Sequence, residues 1–153
     1  MTASEEPRAD FSLILRDNES AVVAALEGAD YVQAFLLLHT LVEALLRIFL
    51  RKEGDRLSFD DLIQDYRQFL EEEKYPYPEF IKELTEFNRR RNRIIHELWR
   101  KDYTFTNVMA EPAARGAQFM YRLFIEWLET FDPEITKIGF RYEGEQPGRS
   151  VTD

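Results

Sequence analysis

The fold of this chain is decided by residues 30–52, which read DYVQAFLLLHTLVEALLRIFLRK. Apolar side chains occupy nearly every face of the helix that this stretch predicts, and a helix of that kind is buried. We therefore expect it to be the central helix of the domain. Its polar residues His39, Glu43 and Arg47 recur at every fourth position and form one line along the helix. Buried charges are costly without partners, so this polar line should find partners in the fold.

Helical periodicity continues on both sides of the central stretch. Upstream, a helix over about residues 10–26 is predicted to end at Gly28, since glycine is common just past a helix C-terminus. Downstream, Ser58 is the predicted N-cap of a third helix that turns Leu62, Ile63, Tyr66 and Leu70 inward. Prolines at positions 76 and 78 end that third helix.

Two more helices are predicted over about residues 78–101 and 111–131, with a loop through residues 103–106 between them. The last helix offers four core candidates: Phe119, Leu123, Trp127 and Leu128. Five helices with short connections predict an all-α fold, an antiparallel four-helix bundle with an additional shorter helix. We expect a single domain over residues 1–153, with a core of about 9–131. A short strand-like piece at 138–142 begins a polar tail over 138–153.

Composition excludes several classes of function. The chain has no cysteine and two histidines, so a zinc site would need mostly carboxylate ligands; we expect no metal and no cofactor. The net charge of -9 means that any nucleic-acid contact must come from a local basic cluster. The acidic N-terminus is unlike a secretory signal, and residues 34–50 are too often interrupted by polar side chains to span a bilayer comfortably. These features indicate a soluble, cytoplasmic protein without a membrane partner.

The most basic segment is Arg89-Arg90-Arg91-Asn92-Arg93, followed closely by His96. With Phe80 placed at zero on a helix of about 100° per residue, Arg91 falls at about 20°, in the middle of the predicted core face. His96 falls at about 160°, on the opposite side with Arg89, Asn92 and Arg100. We expect Arg91 to seek a buried carboxylate or water, and the polar line of the central helix is a candidate partner.

An arginine and a histidine together suit one chemistry that needs no metal. A histidine can take the proton of a ribose 2′-hydroxyl or give one to the leaving 5′-oxygen. An arginine can stabilise the charge that grows on the phosphorane. A basic run with one histidine is nevertheless most often a solvated helix face, so the pattern alone does not establish catalysis.

The setting of this run resembles the HEPN superfamily, whose members are helical bundles with an arginine, four to six residues and then a histidine on a late helix. The matching residues are Arg91, Asn92 and His96, and residues 41–47 and 59–63 resemble the family's second and third helices. The similarity covers roughly residues 22–131. It implies a metal-independent ribonuclease that works as a homodimer, with two motif helices lining one cleft.

The resemblance also assigns roles. It makes Arg91, His96, Asn92 and Glu43 the catalytic candidates, Glu43 matching an acidic residue near the family's active site. Neighbouring residues that could contact RNA are Arg89, Arg93, Arg100 and Tyr103, with Phe105 as a second aromatic. One departure matters: where toxins of this family carry a tyrosine that receives nucleotides, this chain has Leu98. Control by modification of that tyrosine is therefore not supported, although a toxin–antitoxin or defence setting stays open, with an antitoxin or another regulatory protein as a further partner.

Two other interpretations stay open. One is a non-catalytic HEPN-like module for dimerisation and for binding nucleotides or proteins, which the negative net charge favours. The other is a purely structural bundle, which would leave the polar line of the central helix unexplained. Cleavage of RNA in the absence of metal separates the first hypothesis from both.

Overall fold

A computed structural model describes residues 11–52, 56–76 and 81–138. Over these ranges the chain is entirely helical and contains no strand, which confirms the all-α class. The helices are, in chain order, α1 (Phe11–Glu27), α2 (Tyr31–Leu50), α3 (Phe59–Glu72), α4 (Ile81–Arg100), α5 (Tyr103–Met109), α6 (Glu111–Phe131) and α7 (Ile135–Ile138). The described residues thus form seven helices where periodicity predicts five.

Helix α2 lies at the centre, as its apolar composition predicts. It packs against every other helix, and most extensively against α6 and α1. Phe35, Leu45 and Leu46 are completely inaccessible to solvent. Each such side chain stabilises the fold by about 1.5–3 kcal/mol relative to exposure. The same helix is the one among the described residues that is long and apolar enough to cross a membrane, and more than half of its most apolar window is buried within the fold.

The start of α3 is fixed by the predicted cap. The Ser58 hydroxyl oxygen accepts a hydrogen bond from the backbone N–H of Asp61 at 3.1 Å. In return the Asp61 carboxylate accepts from the backbone N–H of Ser58 at 3.2 Å. This reciprocal capping box satisfies two donors that a helix start leaves without intrahelical partners.

The predicted end of α1 at Gly28 is confirmed, since the helix ends at Glu27. The left-handed residue of this turn is Ala29, with a φ of 59°, and the backbone N–H of Asp30 closes the turn on the carbonyl of Ala25 at 2.7 Å. Arg51 and Lys74 take the same conformation after α2 and α3. Non-glycine residues adopt it at a cost, so the surrounding packing holds these three turns in place.

The prediction of a loop through residues 103–106 is wrong, because these residues begin helix α5. The Asp102 carboxylate caps this helix by accepting from the backbone N–H of Phe105 at 2.8 Å. Asn107 then ties α5 to the α1–α2 turn: its amide oxygen accepts from the Val32 N–H at 3.0 Å, and its amide nitrogen donates to the Ala29 carbonyl at 2.7 Å. A seven-residue helix gains most of its stability from such tertiary contacts.

Two of the four core candidates on α6 are wrong. Phe119 is 66% exposed and Leu123 is exposed as well, whereas Leu128 is buried and Trp127 is half-buried against the core. The buried face of α6 instead carries Ala114, Ala117, Met120, Tyr121, Phe124 and Leu128. Of the predicted strand-like piece at 138–142, position 138 ends α7, and the rest lies outside the described residues.

Candidate functional site

A buried polar network joins α2, α3 and α4. His39, which is only 6% exposed, shares a hydrogen bond of 3.1 Å between its Nε2 and the Oδ1 of Asn88. The amide nitrogen of Asn88 donates in turn to Asp60 at 3.2 Å. Because that second bond sets the orientation of the Asn88 amide, its oxygen faces His39, and the imidazole carries its proton on Nε2.

The surroundings of His39 hold the ring neutral. Its imidazole packs against two phenyl rings, with centroid distances of 4.5 Å to Phe59 and 4.9 Å to Phe87. Burial lowers the pKa of His39; the hydrogen bond to Asn88 raises it, the charge of Arg91 lowers it and that of Glu43 raises it, with burial the largest effect. His39 is therefore a core residue whose polar atom is satisfied, rather than a free catalytic group.

The rest of the polar line on α2 also has a structural role. Arg47 donates to the Glu43 carboxylate at 2.9 Å and to the Leu57 carbonyl at 2.6 Å, which ties α2 to the segment before α3. The expected pairing of this line with Arg91 is therefore wrong: Glu43 is engaged by Arg47, one turn along its own helix. A purely structural role thus accounts for the polar line, which removes one argument for catalysis.

Arg91 is exposed, although helical periodicity places it in the middle of the core face. Of the two outcomes expected for Arg91, a buried carboxylate or water, the structure shows water, because the long stem of an arginine lets its charged end reach the solvent. The guanidinium donates to the side-chain oxygen of Asn92 at 3.1 Å. Both Arg91 and Glu43 are close enough to His39 for their charges to shift its pKa. Arg91 and Glu43 therefore lie near His39, and Asn92 is joined to Arg91.

His96 lies apart from these three residues. Helix α4 is continuous from Ile81 to Arg100, so His96 follows Arg91 by about 7.5 Å along the axis and about 140° around it. The ring of His96 is exposed, and its centroid is 5.9 Å from that of Trp99, which is itself 82% exposed. A single chain therefore does not bring Arg91 and His96 to one phosphate.

His96 belongs instead to a second set of exposed residues on α4, which we name the arginine–histidine stripe: Arg89, Arg93, His96 and Arg100. Successive members are three or four residues apart, so their side chains are neighbours on one helix face. Arg89 approaches Glu86 at 3.5 Å, an exposed pair that contributes little to stability. The stripe is a line of positive charge, although the chain carries a net charge of -9.

Tyr103 is less free to bind RNA than its position in the sequence suggests. Its hydroxyl donates to the Asp30 carboxylate across the α1–α2 turn. This hydrogen bond, with burial and the negative charge of Asp30, raises the pKa of Tyr103 to about 12. Half of the side chain is still exposed, so the ring face can contact a ligand while the hydroxyl stays bound to Asp30.

A groove where α4, α5 and α6 meet was not foreseen from the sequence. It encloses about 460 Å³, within the roughly 300–1,000 Å³ of small-molecule sites. Charged residues from α4 and its C-terminal end line it together with apolar residues of α5; the main ones are Arg90, Arg93, Glu97, Lys101, Phe105 and Met109. The Asp102 cap was the one sequence signal that could have revealed α5 and hence the groove.

Comparison of the sequence with protein-family models and curated proteins, and of the structure with solved structures, gives no match. The described residues also contain no group of three histidine, aspartate or glutamate side chains arranged to hold a metal ion. The similarity to the HEPN superfamily therefore rests on the motif residues of α2, α3 and α4 themselves.

Proposed function

We propose that this protein is a metal-independent endoribonuclease of the HEPN type. The observation that supports this most directly is the arginine–histidine stripe: an exposed histidine flanked by arginines one turn away on each side, on the most basic helix of an acidic chain. The stripe offers charge for the RNA backbone, and the imidazole offers a group that transfers protons near neutral pH.

The reaction uses the substrate's own nucleophile. The ribose 2′-oxygen attacks the adjacent phosphorus while the bond from phosphorus to the 5′-oxygen breaks. His96 takes the 2′ proton while water protonates the leaving 5′-oxygen, or His96 protonates the 5′-oxygen while water takes the 2′ proton; Arg91 stabilises the negative charge on the phosphorane. Asn92 holds the Arg91 guanidinium at 3.1 Å. The products are a 2′,3′-cyclic phosphate and a 5′-hydroxyl.

The opposite placement of Arg91 and His96 favours a site shared between two chains. A symmetric dimer contains two equivalent sites in one cleft. Each α4 supplies Arg91 to one site and His96 to the other, so every site holds one Arg91 and one His96 from different chains. Trp99, which is exposed one turn from His96, is of a residue type enriched at protein interfaces. The same proposal covers the fold: the main helices form an antiparallel four-helix bundle of the HEPN type. It also covers the setting: a cytoplasmic protein whose partners are RNA, a second copy of this chain and a regulatory protein that restrains it.

The test of catalysis is incubation with total RNA in EDTA. We expect the wild type to leave 2′,3′-cyclic phosphate ends and His96→Ala to leave RNA intact, with Arg122→Ala, an exposed arginine of α6, as the matched control. If wild type and His96→Ala give the same products at the same rate, His96 has no catalytic role. If neither cleaves any RNA, the ribonuclease proposal fails for this protein in isolation.

The shared site has its own test. Arg91→Ala and His96→Ala are each expected to be inactive, whereas mixing them should restore up to roughly a quarter of wild-type activity, since half of the dimers are mixed and each of those keeps one intact pair of two. Ultracentrifugation of the wild type measures the dimer directly. A monomer with full activity would contradict the shared site.

A second candidate function is a non-catalytic module that binds nucleotides. The groove between α4, α5 and α6 favours it, because this cavity combines cationic and aromatic side chains without needing His96. The structural role of the α2 polar line also agrees with a module that has no catalytic centre. Binding of nucleotides without any RNA cleavage would support this function over the first.

A further inference from the structure

The groove between α4, α5 and α6 has a positive side and an apolar side. Arg90, Arg93 and Lys101 bring three cations to its lining, against one carboxylate, that of Glu97. Phe105 and Met109 are both exposed and supply apolar surface. A ligand that suits this lining carries negative charge at one end and a flat apolar group at the other.

Lys101 and Phe105 lie together in this lining. The Lys101 ammonium lies over the Phe105 ring, 4.9 Å from its centroid, so a positive charge adjoins an aromatic side chain that is still partly exposed. Bases stack on aromatic side chains, and phosphates bind lysine and arginine. The pair therefore suits the base and the phosphate of one nucleotide.

The carboxylate of Glu97, which lines the groove, has a hydrogen-bond acceptor that is unsatisfied among the described residues. One of its carboxylate oxygens, Oε1, is buried and has no hydrogen-bond partner within the part of the chain that the structure describes. A buried acceptor without a donor is costly, so a ligand that supplies donors relieves that cost. The last torsion of a glutamate is soft, so the carboxylate can turn this oxygen toward the groove when a donor arrives there.

The donor pattern selects among the bases. On its Watson–Crick edge, guanine presents two adjacent donors, N1–H and the 2-amino group, which match the two oxygens of one carboxylate. Adenine and cytosine present one amino donor beside a ring nitrogen that accepts, and uracil presents one N–H between two carbonyl oxygens. A carboxylate is repelled by those neighbouring acceptors, so it favours guanine.

We propose that this groove is a binding site for a guanosine 5′-phosphate unit, with Glu97 reading the base, Phe105 stacking on it and the groove cations holding the phosphate. Arg93 lines the groove and also belongs to the arginine–histidine stripe, one turn from His96. An RNA chain along the stripe can therefore place a neighbouring guanine in the groove. That role in RNA selection rests on the proposed ribonuclease, whereas binding of the mononucleotide does not.

The experiment is titration of the full-length protein with 5′-GMP, IMP, AMP, UMP and inorganic phosphate by calorimetry. GMP should bind most tightly, and IMP more weakly because it lacks the 2-amino group. Glu97→Gln should weaken GMP binding by about 10- to 100-fold, the value of a hydrogen bond to a charged group. Glu126→Gln, an exposed glutamate of α6, is the matched control and should bind as the wild type does.

Three further comparisons make the outcomes distinct. His96→Ala should keep GMP affinity, so loss of cleavage and loss of base binding are separable. If an RNA hexamer with a single guanine binds at least tenfold more tightly than GMP, the ligand of the groove is a guanosine within RNA. If the two affinities are equal, the ligand is the free nucleotide. Equal binding of all four nucleotides, or GMP binding that Glu97→Gln leaves unchanged, overturns the proposal, as does no binding of GMP by a folded wild type.

Discussion

His39→Gln is expected to remove an acid-sensitive part of the stability of this protein. His39 lies in the core, packed against the rings of Phe59 and Phe87, and its Nε2 is hydrogen-bonded to Asn88. Protonation would place a positive charge there, next to the positive charge of Arg91. Glutamine keeps a neutral N–H donor for Asn88 and cannot take up a proton in this pH range.

The sign and size follow from the pKa of His39, which burial lowers below its ordinary value of 6.5. As the pH falls below about 6.5, the unfolded chain takes up a proton that the folded chain does not bind, so the unfolded state gains stability. The loss is at most about 1.4 kcal/mol for each pH unit and ends near the lowered pKa. Above pH 6.5 the contribution is fully retained.

Urea unfolding at several pH values between 7.5 and 5.5 measures this dependence. Glutamine loses the ring contacts, so we expect a lower free energy of unfolding at every pH but a flatter dependence on pH than in the wild type. His96→Gln, which removes the exposed histidine, is the control and should keep the wild-type slope. If wild type and His39→Gln show parallel slopes, the protonation of His39 is not linked to folding and the reasoning is wrong.

Other changes test single interactions. Tyr66→Phe should raise the free energy of unfolding by about 1 kcal/mol, because the buried hydroxyl has no partner in the described residues; a clear loss in urea unfolding would reveal one. Ala29→Gly should raise the unfolding temperature, with a gain of about 0.5–1 kcal/mol from the left-handed φ of 59°. Asn107→Ala should cost about 1–3 kcal/mol, since the Val32 N–H then loses its partner, and native-state hydrogen exchange at Val32 should quicken. Arg93→Ala should reduce the salt dependence of single-stranded RNA binding by about 0.7 in log–log slope, and an unchanged slope would mean that Arg93 contacts no phosphate.

Local sequence patterns predicted the main helices because each pattern involves residues that lie within one or two helical turns of one another. The apolar residues of α2 required burial whatever packed around them, and Ser58 with Asp61 encoded their own cap. Periodicity did not predict the short helix α5, because its seven residues make only about two turns, too few to show a repeat of apolar positions. Its stability comes from Asn107 reaching the α1–α2 turn, a contact between residues far apart in the sequence.

In the candidate site, too, the sequence predicted the local spacing of residues but not their contacts with other helices. Spacing along one helix was enough to place Arg91 and His96 on opposite sides of α4, and that placement holds in the continuous helix. Spacing could not reveal that Arg91 is exposed, or that Arg47 rather than Arg91 engages Glu43, because long side chains choose partners among several neighbours. Periodicity identified the core face of α4 correctly, and Arg91 on that face reaches water, one of the two expected outcomes, but the expected pairing with the polar line of α2 was wrong.

By itself, then, the sequence determined an all-helical chain around a buried α2, with the arginines and His96 on one basic helix, because burial of apolar surface and helical spacing are local properties. Tertiary structure alone decided that His39 is a satisfied core residue, that Tyr103 binds Asp30, and that Glu97 and Phe105 share a groove. Each of these depends on two or three helices meeting, and which helices meet depends on how all apolar faces are buried together.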